Sequence, residues 1–255
     1  MANKRKPRST RFDVSDSPPV ARLSALNFPI PVRWLNTVVG LFLLPIAGIW
    51  TQTFFSVSQD AMHRNFWATE EFWFFALGAI LWIIAFFGLP RPVLIYVFGH
   101  ELTHAVWVWA MGGRVSKFSV SSEGGHIITN KHNVWIALAP YFFPLYSLLV
   151  IVAYGIAGLF TDVAPYHRWL YALIGATWAF HISFTLWMIP KGQSDLTYHG
   201  TFYSLVIIYL MNLLVLTAFL LIASPPLIRH RFFHLFYHNA QDFSAWVCSV
   251  AKQYW

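Results

Sequence analysis

Six stretches of the chain stay apolar for roughly the 20 residues that a helix needs to cross a bilayer. They fall at 34–55, 72–89, 92–111, 134–160, 169–189 and 202–223. The pattern predicts an all-α integral membrane fold of about six transmembrane helices. An even count sets both termini on one side of the membrane. The Lys and Arg residues before the first stretch, with Arg229 and Arg231 after the last, predict that this side is cytoplasmic.

Two connections break the rhythm. In 112-GGRVSKFSVSSEGGHIITNKH-132, Val115, Phe118 and Val120 are separated by charged or hydroxyl residues, Glu123-Gly124-Gly125 marks a turn, and 126-HIIT-129 runs back. That alternation predicts a β-hairpin between two membrane helices, an open strand of which could pair with an unwound substrate. In 190-PKGQSDLTYHG-200, Pro190 and Gly192 stop one helix and Ser194 can cap the next, which puts Asp195 at a break. Pro140 and Pro144 within 138-LAPYFFPLY-146 predict a bend in the fourth helix. Three regions follow: a disordered basic cytoplasmic tail over 1–33, a polytopic domain over 34–223, and an interfacial amphipathic helix over 224–255. In the last, His230, His234, His238 and Asp242 recur every four residues along one stripe, a stripe that could alternatively hold a second metal.

Composition supports the membrane assignment. The chain is 57% hydrophobic and 11% charged, where a soluble domain carries about a quarter charged residues. One cysteine, Cys248, excludes an intramolecular disulfide and a cysteine-only metal cage. The net charge of +7 is concentrated at the start, in Lys4, Arg5, Lys6, Arg8, Arg11, Arg22 and Arg33. No soluble domain follows that could present a basic face, so the charge is a topology signal rather than a nucleic-acid footprint. The partners expected are the lipid bilayer and a membrane-borne substrate, with no nucleic acid. A basic, polar start unlike a cleaved signal suits an inner or plasma membrane.

Within the third apolar stretch stands 99-GHELTHAVWVWAMGG-113. His100 lies nine residues past Arg91, roughly 14 Å along a helix, where three ionisable groups within five residues are expensive to bury. On a helix His100 and His104 are one turn apart and can grip one zinc ion, while Glu101 beside them can orient and deprotonate the attacking water. A catalytic zinc keeps three protein ligands. Among the later acids, Glu123 is at the hairpin tip, Asp162 in a loop beside Pro165 and Asp242 in the tail, so Asp195 is the leading third ligand. His126, His181 and His199 are its rivals.

The constellation resembles the site-2 protease family of intramembrane zinc metalloproteases. In that family a His-Glu-x-x-His helix is followed by a Gly-rich hairpin, another membrane helix and a later Asp after a proline break. Here 100-HELTH-104 matches the first element, and Gly112-Gly113 through His126 is similar to the second. The family's later motif reads Asn-x-x-Pro-x-Pro-x-Leu-Asp-Gly; 190-PKGQSDL-196 keeps the Pro-to-Asp interval but lacks the Asn, the second Pro and the Gly. The resemblance covers about residues 92–200. It implies zinc held by His100, His104 and Asp195, with Glu101 as the base, and hydrolysis of a peptide bond in or beside a substrate's membrane helix.

Rival readings are a divalent-metal transporter or sensor using the same histidines, and a catalytically inactive membrane homologue. Six alternating spans also set His100 and Asp195 at different depths, unless 190–194 dips back into the membrane or the count is off by one.

Overall fold

The computed structural model describes residues 32–63, 66–223 and 226–254. The basic tail predicted at the N-terminus lies, through residue 31, outside the described residues. The elements are α1 (Val32–His63), α2 (Glu70–Gly88), α3 (Val93–Ala110), β1 (Val115–Ser121), β2 (Gly124–Thr129), α4 (Val134–Leu138), α5 (Leu145–Ala157), α6 (His167–Met188), α7 (Ser194–Tyr198), α8 (Thr201–Ala223) and α9 (Pro226–Tyr254). Among the described residues four helices are long and apolar enough to cross a membrane, five if a bent pair counts as one span. The four are α1, α2, α6 with its flanking turns, and α8. The third predicted span, 92–111, which forms α3, is not among them, because His100, Glu101 and His104 dilute its hydropathy. Large apolar side chains such as Phe42, Ile84, Phe87 and Ile222 face outward, as they do where lipid is the solvent.

The bent pair is α4 and α5. Asn133 starts α4 by accepting a hydrogen bond from the Ile136 amide at 2.9 Å, a side-chain cap of the usual kind. Pro140 then enters a 3₁₀ turn, Pro144 starts α5, and the two halves meet at 80°. The proline-driven bend is therefore present. The hairpin is present too: β1 and β2 pair antiparallel, with Phe118 opposite Ile127 and Val120 opposite Gly125.

Helices α2 and α6 run side by side in the same direction. Thr69 caps α2, Glu70 near its start pairs with Arg168 at 3.8 Å, Trp82 Nε1 donates to Ser183 Oγ at 2.9 Å, and Phe86 packs with Phe184. Two glycines allow the backbones to touch: a Cβ on Gly78 would fall 1.9 Å from the Ala172 carbonyl oxygen, and one on Gly175 would fall 2.0 Å from that of Phe75. Backbone cannot swing aside as a side chain can. Gly175→Ala is therefore expected to cost about 3 kcal/mol, the upper end of overpacking penalties, and to lower the unfolding midpoint in detergent. Gly48→Ala, with open space around it, serves as the unaffected control. Equal midpoints would mean that α2 and α6 do not meet there.

Helix α9 is helical throughout its described length and lies antiparallel along α1. Ile228 and Phe232 pack with Val57 and Ala61, Arg231 pairs with Asp60 at 2.5 Å, and Asn239 donates to Thr53 at 2.9 Å. Helix α1 also carries α8, to which Trp50 Nε1 donates through Thr217 Oγ1 at 3.0 Å.

Candidate metal centre

Helix α3 is the wall of the site. It begins after Pro92 and buries Tyr96, Val97, Gly99, Glu101, Thr103 and His104. His100 and His104 project from it one turn apart, their ring centroids 4.9 Å from each other.

Asp195 arrives by a reversal of the chain. Helix α6 descends against α3, with Phe184 stacked on Tyr96 at 4.6 Å and Trp187 under Arg91 at 5.1 Å. A 3₁₀ turn over Ile189–Lys191 follows, and Gly192 takes a left-handed φ of 76°, a conformation that suits a residue without a Cβ. The short α7, packed on α4 and α8, then carries Asp195 back to the two histidines. It is held in place by its neighbours: Leu196 is buried with Leu138, Tyr141, Ile207 and Ile208, Ser204 Oγ donates to the Leu196 carbonyl at 3.0 Å, and Asn36 donates to the His199 carbonyl at 2.7 Å. This folding back is what brings together residues that simple alternation of spans would separate.

Among the described residues, His100, His104 and Asp195 are the group whose atoms converge as metal ligands do, all within 4.8 Å of one another. The Asp195 Oδ2 atom lies 3.4 Å from His100 Nε2 and 3.5 Å from His104 Nε2. Charge-assisted hydrogen bonds are shorter, about 2.7–2.9 Å. Two ligands bound about 2.0–2.1 Å from a zinc at the tetrahedral angle stand about 3.3–3.4 Å apart. The two separations from Asp195 match two edges of such a tetrahedron.

Each ligand has an outer partner. The Tyr96 hydroxyl is 3.2 Å from His100 Nδ1, His104 Nδ1 is 2.7 Å from the Ile136 carbonyl, and the Tyr141 hydroxyl donates to Asp195 Oδ2 at 3.1 Å. Such contacts turn the Nε2 atoms inward and fix the carboxylate. Ile136 and Tyr141 reach the site because of the Asn133 cap and the Pro140 turn.

Glu101 is 6% exposed and interacts electrostatically with His104 and Asp195. The hairpin covers it: a Cβ on Gly125 would fall 2.6 Å from Glu101 Cγ and 2.9 Å from Oε1. Only a glycine lets β2 lie this close.

The rival ligands stand elsewhere. His126 is exposed on β2, opposite Ser119. His199, at the end of α7, stacks on His132 with centroids 5.7 Å apart and the rings within 4° of parallel; partial burial, with His132 beside it, lowers its pKa below the usual histidine value. His181 is buried beside His100 but outside the converging group. Glu123 is exposed, Asp162 accepts from the Ala164 amide at 3.0 Å, and the α9 stripe of His230, His234, His238 and Asp242 forms no group of three converging ligands. Tyr96 could have been found in the sequence, since it precedes His100 by one helical turn. Tyr141 and the Ile136 carbonyl carry no such signal.

Comparison of the chain with protein-family models, with curated proteins and with solved structures finds no match in any of the three.

Proposed function

We propose that the protein is an intramembrane zinc metalloprotease of the site-2 protease type, which hydrolyses peptide bonds in or beside the transmembrane segments of membrane-protein substrates. The observation that carries this reading is the convergence of His100, His104 and Asp195, with Asp195 at tetrahedral edge lengths from both histidines and Glu101 buried on the same helix. The donor set of two imidazoles and one carboxylate suits zinc and leaves a fourth position for substrate or water. His100, His104 and Asp195 would hold the zinc, which would supply Lewis-acid polarisation of the scissile carbonyl and a lowered pKa for the attacking water. Glu101 takes a proton from the attacking water and passes it to the leaving amine. Tyr96, Tyr141 and the Ile136 carbonyl keep the three ligands oriented. The substrate helix unwinds locally to expose its peptide bond, and the strand edges of the hairpin beside Glu101 offer the unwound segment hydrogen-bonding partners.

The test is elemental analysis of the detergent-purified full chain together with cleavage of reporter proteins that carry single membrane helices. About one zinc per chain is expected, with cleavage abolished by a chelator and restored by added zinc. Protein that takes up no zinc on reconstitution would overturn the reading.

A further inference from the structure

A cavity of about 20 Å³ lies between α3, the Pro140 turn, α5 and α6, with the His100 and His181 side chains in its lining. That volume meets the roughly 10–15 Å³ needed to seat one water. His181 is 8% exposed, and its Nε2 atom is fully buried with no protein hydrogen-bond partner. A buried ring nitrogen left without a partner is costly, so it calls for a ligand.

The other polar groups of the lining are already engaged as donors. Thr103 Oγ1 donates to the Gly99 carbonyl at 2.7 Å, and the Tyr146 hydroxyl donates to the Ile95 carbonyl at 2.6 Å. The Tyr96 hydroxyl faces His100 Nδ1. Both hydroxyl oxygens of Thr103 and Tyr146 keep lone pairs that can accept. Asn212 is fixed by donating to the Tyr141 and Ile208 carbonyls at 2.8 and 2.9 Å. His181 thus brings an unpaired ring nitrogen to a lining that combines these engaged hydroxyls with Phe143 and Phe180.

We propose that His181 is a positioning residue that anchors one buried water in this cavity, and that this water replenishes the metal centre through the side on which His100 stands. The role rests on the protease reading: each hydrolysis consumes one water, and the surrounding helices bring apolar side chains that do not carry its replacement. His181 acts through the water and does not touch the metal.

Two measurements on the full chain test this. In an experimental structure fine enough to show ordered water, density is expected within about 2.7–3.2 Å of His181 Nε2 and is absent in His181→Leu. A dry or collapsed cavity in the unaltered protein overturns the water site and leaves the protease reading intact. In reporter cleavage, His181→Leu is expected to lower kcat by about tenfold or more with KM and zinc content unchanged. His181→Gln, which can place an amide oxygen near the Nε2 position, restores most of the rate. An unchanged kcat in His181→Leu overturns the replenishing role. A wild-type protein that binds no zinc overturns the protease reading and that role together, whatever the cavity holds.

Discussion

In a Glu101→Gln variant, zinc content is expected to stay near one per chain while reporter cleavage falls by about 10²–10⁴-fold, the range that a positioned general base contributes. The substitution preserves the shape of the side chain, so the close contact between Gly125 and the Glu101 Cγ survives. None of the three converging ligand atoms belongs to Glu101, which is why the metal is retained. Only basicity is lost. Elemental analysis and reporter cleavage on one preparation separate the two effects, and cleavage at the wild-type rate would remove Glu101 as the base.

Asp195→Ala is expected to lose the metal almost completely, as is His104→Ala. The Asp195 carboxylate is the common corner of the site, within 3.4 Å and 3.5 Å of the two imidazoles. Without it α3 offers two ligands, too few for the three a catalytic zinc keeps, and the Tyr141 hydroxyl loses its acceptor. Elemental analysis of purified variants, with an unfolding midpoint to confirm that each still folds, measures this. Zinc that disappears with His104→Ala but persists in Asp195→Ala would dismiss Asp195 as the third ligand.

Much of this architecture is legible in the sequence, for identifiable reasons. Apolar length marks the helices, and the alternation of Val115, Phe118 and Val120 before Glu123-Gly124 marks the hairpin. The spacing of His100 and His104 puts both on one helical face, and the scarcity of acids singles out Asp195. What stays hidden depends on tertiary approach. Nothing in 190-PKGQSDL-196 discloses that the chain turns back to the two histidines, because the reversal rests on the fit of Leu196 among Leu138, Ile207 and Ile208. Gly125 reads as half of a hairpin turn, yet it sits one position into β2, where its lack of a side chain makes room for Glu101. The contact between His104 and Ile136 uses a main-chain oxygen, which any residue at that position would present. His181 reads as a third-ligand candidate from sequence; packing sets it behind His100, among engaged hydroxyls.

The reversal at Gly192 would also make a metal bound at this site a cross-link. His100 belongs to a helix completed before the hairpin, whereas Asp195 sits 95 residues further on (195 − 100 = 95) in a helix only five residues long. An ion shared between them closes a long loop, and any ligand that binds only the folded chain stabilises it in proportion to the logarithm of its concentration over Kd. With a metal held there, the seating of Leu196 and the start of α8 would be tied to metal supply, and a newly made chain would complete its site and fasten about its last quarter in the same event.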